Sequence, residues 1–242
     1  MMRAGDIQQA WTELPLADIE SIFGHGRTLI LAPHPDDESL GCGGLIAELC
    51  RIGRPPLVVV LTDGTGSHPN SPRVNAPALR RLREREAADA LWRLGLTDPG
   101  ARVFMRLRDT AAPHDGPEFD RAVCRIAGLA AKCETICAPW GHDPHCDHEA
   151  AHLMAIAVAA QTGVRHLAYP VWGWTLPGDT MLPATCGQGW RIDITRAVAA
   201  KKSAVAAHRS QHGGMIDDPA GFSLPPALLD ACLRPYEVFL RP

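Results

Sequence analysis

Leu29-Ile30-Leu31-Ala32-Pro33-His34-Pro35-Asp36-Asp37-Glu38 sets an apolar, strand-like run directly against a packet of imidazole and carboxylates. In an open parallel sheet, ligands collect outside the carboxyl ends of the strands. The packet therefore marks a site at the end of a first strand, Thr28–Ala32. A second apolar run, Thr135-Ile136-Cys137-Ala138-Pro139-Trp140, leads into His142-Asp143-Pro144-His145-Cys146-Asp147-His148. Two strand ends carrying complementary halves of one metal site is the central expectation.

Working outward, strand-type and helix-type runs alternate. A helix over Glu38–Arg51 follows the first strand. Leu57–Thr62 is a continuously apolar strand, as expected where both faces are buried. Pro77–Leu94 reads as a helix closed by Gly95, Arg102–Met105 as a strand, Pro117–Lys132 as a helix and Glu134–Ala138 as a strand. His148–Gln161 is an Ala-rich helix with Gly163 just beyond it, and His166–Tyr169 a strand. Val171 to Trp190 reads as a loop that could wall a pocket. Trp190–Ile194 is a strand, Thr195–His208 a helix and Tyr236–Leu240 a late strand that could lie at an edge. This order predicts an α/β fold, a doubly wound three-layer αβα sandwich, with residues 1–242 forming a single domain.

The chain has 242 residues, 46% hydrophobic and 21% charged, with a net charge of -3. That balance offers no electrostatic basis for binding nucleic acid or an anionic membrane. No segment reaches membrane-spanning length, and Met1–Leu16 has no apolar signal core. The 8 cysteines form no CxxC pair and read as reduced thiols. A cytoplasmic protein is expected.

His34 and Asp37, at i and i+3 across the strand-to-helix turn, can face one point, and His148 supplies a third ligand. Two His and one carboxylate leave a coordination position open, as in catalytic Zn²⁺ sites, and suit Fe²⁺ as well. Bound water of lowered pKa would be the nucleophile. Asp36 is placed to act as general base. His145 could donate a proton to an oxyanion or leaving amine, with Asp147 holding its ring. The plainer reading of Asp36 or Asp37 is a helix N-cap.

Pro33-His34-Pro35-Asp36-Asp37-Glu38, joined to His145-Cys146-Asp147-His148, resembles the zinc-dependent de-N-acetylases of the PIG-L/LmbE type. These remove acetyl from N-acetylglucosaminyl groups of small glycoconjugates. Arg83-x-x-Glu86 with Leu94-Gly95, then Arg108-Asp109-Thr110, then Lys201 through His208-Arg209-Ser210-Gln211 are similar to further family segments. The resemblance implies a Rossmann-like, mostly parallel sheet. It also implies His34, Asp37 and His148 as zinc ligands, Asp36 as base, and His145 as acid or oxyanion donor. Arg83 and Asp109 would bind sugar hydroxyls. A small amino-sugar glycoconjugate is the implied partner, and a homo-oligomer is open by analogy. Some members carry a Tyr donor where this chain has Asp143, and an ionised carboxylate cannot replace it.

Three rival readings remain. His148-Glu149-Ala150-Ala151-His152 matches H-E-x-x-H, in which His148 and His152 would bind zinc and Glu149 act as base of a peptidase. That leaves the His34 packet without a task. Gly41-Cys42-Gly43-Gly44 suggests a nucleotide-binding loop, but its spacing fits no phosphate motif, and close helix–sheet packing explains it better. A catalytically inactive carbohydrate-binding descendant would be expected to have lost a ligand or the base. His68, in a loop at the presumed active edge, could approach the site. Trp172 and Trp174 could stack on a sugar.

Overall fold

The structure, a computed structural model, describes residues 1–183 and 187–242. Ala184, Thr185 and Cys186, part of the predicted 171–190 loop, lie outside the described residues. The chain opens with β1 (Met2–Arg3), α1 (Ala4–Glu13) and α2 (Ile19–Phe23). The alternating body follows: β2 (Arg27–Ala32), α3 (Asp37–Arg51), β3 (Leu57–Thr62), α4 (Ala76–Arg93) and β4 (Arg102–Leu107). It continues with α5 (Gly116–Ala130), β5 (Cys133–Pro139), α6 (Cys146–Thr162) and β6 (Arg165–Tyr169). The last elements are β7 (Met181–Leu182), β8 (Gly189–Asp193), α7 (Val198–Val205), α8 (Pro226–Cys232) and β9 (Tyr236–Leu240).

Among the described residues, the main sheet has 7 strands in the order β4-β3-β2-β5-β6-β9-β8. β2 to β6 pair in parallel, and β9 runs antiparallel to both β6 and β8. The sheet is thus mixed but mostly parallel, with helices on both faces. β9 does not lie at the edge. It sits between β6 and β8, which explains why Val238, Phe239 and Leu240 are buried. Its one buried charge, Glu237, is matched by Lys201 Nζ at 2.7 Å.

Alternation along the central strands builds both layers. Ile30, Ala32, Val58 and Val60 pack with α3, α4 and α7, whereas Leu29, Leu31, Val59 and Leu61 pack with α5 and α6. Each such fully buried aliphatic side chain contributes about 1.5–3 kcal/mol. The glycines of α3 serve close packing, not a phosphate. A Cβ on Gly41 would fall 2.3 Å from the Tyr169 ring, and one on Gly44 2.5 Å from Ile194. Gly95, the expected cap of α4, takes positive φ at 89, and Gly163 just past α6 does so at 75.

Helices α1, α2 and α8 were not anticipated. α1 buries Ile7 and Trp11 against Trp140, Ala168 and Val238, covering the far end of the sheet. The predicted 171–190 loop contains a short turn at Trp172–Thr175 and strand β7, which pairs with β1.

Candidate metal and catalytic site

β2 and β5 are parallel neighbours, with Ile30 opposite Cys137. From β2 the sheet builds through β3 to β4, and from β5 through β6. The order therefore reverses between the two strands that carry the packets. That reversal is a topological switch point, and it opens a crevice at their carboxyl ends. Pro33 to Asp36 turn the chain from β2 into α3, with the N–H of Asp36 bonding to His34 O at 2.9 Å. Asp37 opens the helix, where the N-terminal dipole favours a carboxylate.

Asp37 Oδ2 is the meeting point. It lies 3.0 Å from His34 Nδ1 and 3.2 Å from His148 Nε2, and it accepts the His34 backbone N–H at 2.9 Å. His148 is fully buried, and its Nε2 has no hydrogen-bond partner. The opposite ring nitrogens are held by other carboxylates. His148 Nδ1 faces Asp143 at 2.9 Å, and His34 Nε2 faces Asp147 at 3.1 Å and Asp109 at 3.2 Å. Such outer carboxylates fix ring orientation around metal ions. Burial disfavours the charged imidazoles, but the surrounding carboxylates outweigh it. They hold His148 up at about 9 and His34 well above its usual value. Asp37 is held well below the carboxylate range by the two histidines, against the effect of burial.

An orphaned, buried imidazole nitrogen facing a carboxylate and a second imidazole fits a divalent cation of the zinc or ferrous type. His34, His145 and His148 also bring one ring nitrogen each within 4.8 Å of one another. Asp37 is the better third ligand, because one of its oxygens touches both other donors. His145 Nδ1 is already occupied, accepting the Asp147 backbone N–H at 3.2 Å.

Asp36 and Arg83 form a buried ion pair at 3.0 Å. Arg83 also donates to Gly64 O at 2.9 Å and Pro35 O at 3.0 Å. Burial pushes Asp36 up to about 6, against the pull of Arg83. Burial lowers His145, with His34 and His148 adding to the effect.

The Asp147 carboxylate does not grip His145 as expected. It holds His34, and it accepts the backbone N–H groups of Thr110 at 2.7 Å and Ala112 at 2.9 Å. Asp143, flagged in the sequence as unable to act as a donor while ionised, is not among the residues lining the pocket. It accepts N–H groups from Val171, Trp172 and Gly173 at 3.0, 3.1 and 2.6 Å while holding His148.

A cavity of about 130 Å³ lies over these groups, lined by His34, Asp36, Arg83, Asp109, His145 and Trp172 among others. Trp174 is not part of it. That ring packs on Trp11 at 4.9 Å and lies under Arg234. His68 is buried beside Ser67 Oγ at 3.0 Å and against Gly221, outside the lining. The H-E-x-x-H elements do not assemble. His152 Nδ1 bonds to Pro139 O at 3.0 Å, and Glu149 is exposed beside His114.

Several supporting residues carried no assigned role in the sequence reading. Glu38 is buried and meets His208 Nε2 at 3.2 Å, and Glu86 holds Ser210 Oγ at 2.6 Å. Gln211 and Phe222 join the pocket lining. The family-like Lys201–Gln211 segment was the available signal for His208, Ser210 and Gln211; Phe222 had none.

A family model described as PIG-L, GlcNAc-PI de-N-acetylase, matches residues 29–159. A 2'-N-acetylparomamine deacetylase of Streptomyces fradiae is 31% identical over 141 residues, covering 52% of this chain and 50% of that protein. The chain spans about half the length of this and a further curated relative. The solved A40926 pseudoaglycone deacetylase Dbv21 superposes with a TM-score of 0.70 at 18% identity, covering 89% of this chain and 96% of that one. The 4-carboxy-2-hydroxymuconate hydratase GalB of Pseudomonas putida KT2440 shares the fold too, at TM-score 0.58 and 20% identity, covering 77% and 80%. Those two likenesses speak for the fold alone. The matched segment contains both packets and the crevice between them, and the chain belongs to the PIG-L family.

Proposed function

We propose that the chain is a metal-dependent N-deacetylase. It hydrolyses the acetamide of an N-acetylglucosamine-type conjugate to a free amine and acetate. The observation that carries this reading is the convergence of His34 Nδ1 and the orphaned His148 Nε2 on Asp37 Oδ2, at a pocket that also holds Asp36. His34, Asp37 and His148 would hold zinc or ferrous iron, which when bound supplies Lewis acidity and a water of lowered pKa.

The chain's own groups then divide the proton work. Asp36, with its pKa lifted toward neutrality, removes a proton from the attacking water. Arg83 fixes that carboxylate in place through a buried pair and two carbonyls. The Asp147 N–H occupies His145 Nδ1, so the neutral ring carries its proton on Nε2. That N–H donates to the developing oxyanion, a contribution of about 3–4 kcal/mol for a well-placed donor. The proton gained by Asp36 passes to the leaving amine. The cavity of about 130 Å³ has room for roughly one six-membered ring, which suits a single sugar residue. Asp109 and Arg83 line it and would meet sugar hydroxyls.

The deciding experiment measures bound metal per chain and acetate release for wild type, His34→Ala and His152→Ala. Loss of both in His34→Ala, with retention in His152→Ala, is expected. The reverse pattern would transfer the site to the H-E-x-x-H helix and end the deacetylase reading.

A further inference from the structure

Next to the catalytic pocket lies a larger concavity of about 610 Å³, lined by residues of β4, α5 and the connection between them. Arg106, Arg108, Arg121 and Arg125 surround it, over a floor that includes Leu107 and Ala122. All four arginines are exposed. Arg106 is matched by Glu84, which it contacts at 2.7 and 3.1 Å. Arg121 has only Glu118, at 3.8 Å. Among the described residues, Arg108 and Arg125 have no ion-pair partner. In a chain of net charge -3, this groove is a local excess of positive charge.

The groove and the pocket share one short piece of backbone. Arg108 and Ala111 line the groove, whereas Asp109 and Thr110 line the pocket. That piece is held firmly, because the Asp147 carboxylate clasps the N–H groups of Thr110 and Ala112. Arg106 just before it and Thr110 within it are, among the described residues, the two non-glycine residues with positive φ, at 61 and 65. Such conformations are costly and persist where the surroundings enforce them, commonly at ligand sites. The result is an arginine of anchored backbone and exposed side chain, one residue away from a pocket wall.

Arginine forks match the paired oxygens of phosphate and carboxylate. We propose that this groove is the second half of the substrate site. It takes an anionic group, phosphate or carboxylate, carried by the amino-sugar conjugate, so that the preferred substrate is an acidic N-acetylhexosamine. The sugar rests on the deacetylase reading; the anion rests on the groove alone. A polycationic aminoglycoside would be repelled from the same arginines. The concavity is also confined to one strand, one helix and their link, a scale that suits a substituent better than a polymer.

The test uses N-acetylglucosamine 1-phosphate, the 6-phosphate, a carboxylate-bearing N-acetylglucosaminide and the neutral methyl glycoside. Each is titrated calorimetrically into metal-loaded wild type, Arg108→Gln/Arg125→Gln and the charge-reversed Arg125→Glu, with acetate release followed in parallel. At least one acidic ligand should bind wild type about tenfold or more tightly than the methyl glycoside. That ratio should collapse toward one in both variants, and shrink in wild type between roughly 0.05 and 0.5 M salt. Which ligand shows it separates phosphate from carboxylate. Inorganic phosphate competing equally well at the same arginines, with no sugar preference, would make the groove an independent anion site and overturn the proposal. Equal binding of acidic and neutral sugars, or a ratio unchanged in the variants, would also overturn it. Binding without acetate release in any protein would instead count against the deacetylase reading and leave the groove assignment standing.

Discussion

His148 Nδ1 lies 2.9 Å from Asp143 Oδ2, and that contact turns the opposite nitrogen of the ring toward Asp37. Asp143 is itself fixed by three consecutive backbone N–H groups, from Val171 to Gly173. The orientation of the His148 ring on α6 is therefore set by the turn that follows β6. Asp143→Ala should weaken metal binding by about 10–100-fold. Competition against a chromophoric chelator measures this directly, and an unchanged affinity would remove Asp143 from the site's architecture.

The acid limb of kcat/KM should reflect Asp36. The base works as carboxylate, so activity is lost as pH falls through its pKa. Burial lifts that value to about 6 in the metal-free chain, and a bound cation favours the charged form, so the limb belongs at or below pH 6. Asp36→Asn should lower kcat by about 10²–10⁴ with metal content intact. Arg83→Gln removes the charge that opposes burial and should move the limb to higher pH. A limb that stays in place would limit Arg83 to holding substrate.

His166 predicts how stability responds to acid. Burial lowers its pKa from 6.5 to about 4, with His152 adding to the effect, and neither ring nitrogen has a partner. The unfolded chain therefore binds the proton more readily than the folded one between those values. Stability should be full above pH 6.5, fall as pH drops toward 4, and lose nothing further from this group below that. The loss is at most about 3 kcal/mol, since water reaching the ring screens part of it. Urea midpoints across this range should flatten in His166→Phe.

Gly41→Ala should destabilise by about 1–3 kcal/mol or more through overpacking. The added Cβ would meet the Tyr169 ring at 2.3 Å, and the Tyr169 hydroxyl donates to Leu31 O at 2.8 Å in β2. A lowered Tm accompanied by weaker metal retention would show that the displacement reaches the end of β2.

Cys146 is exposed between His145 and Asp147, and its thiol is shifted up by partial burial and by the Asp147 charge. Alkylation should be slow at neutral pH, accelerate in mild base and lower activity by crowding the adjacent His145, which lines the pocket. Cys146→Ser should be protected. Equal inactivation of both proteins would assign the effect to another thiol.

The strand–helix body and the convergence of His34, Asp37 and His148 were legible because strand ends are punctuated in sequence. Pro33 and Pro139 stop their apolar runs, and polar packets follow immediately. What escaped was set by contacts across the sheet. The Asp147 N–H and its carboxylate serve different histidines, a split that no spacing rule contains. Asp143 bonds to backbone, which carries no side-chain signature. β9 looked like a terminal strand because its partners come from distant segments, and only the antiparallel insertion between β6 and β8 places it inside. Helices α1, α2 and α8 are short, and tertiary packing rather than propensity sustains such elements.

The two halves of the site belong to strands that touch each other but are separated by about a hundred residues of chain, since Ile30 pairs with Cys137. A nascent chain that has emerged only through β4 already contains His34 and Asp37, yet lacks His148 and every residue that orients it. Pairing of this kind closes late and slowly, because its loop entropy must be overcome before the contact gives anything back. Metal capture during refolding would therefore time the docking of β5 onto β2, and a single bound ion would report that the central topology is complete.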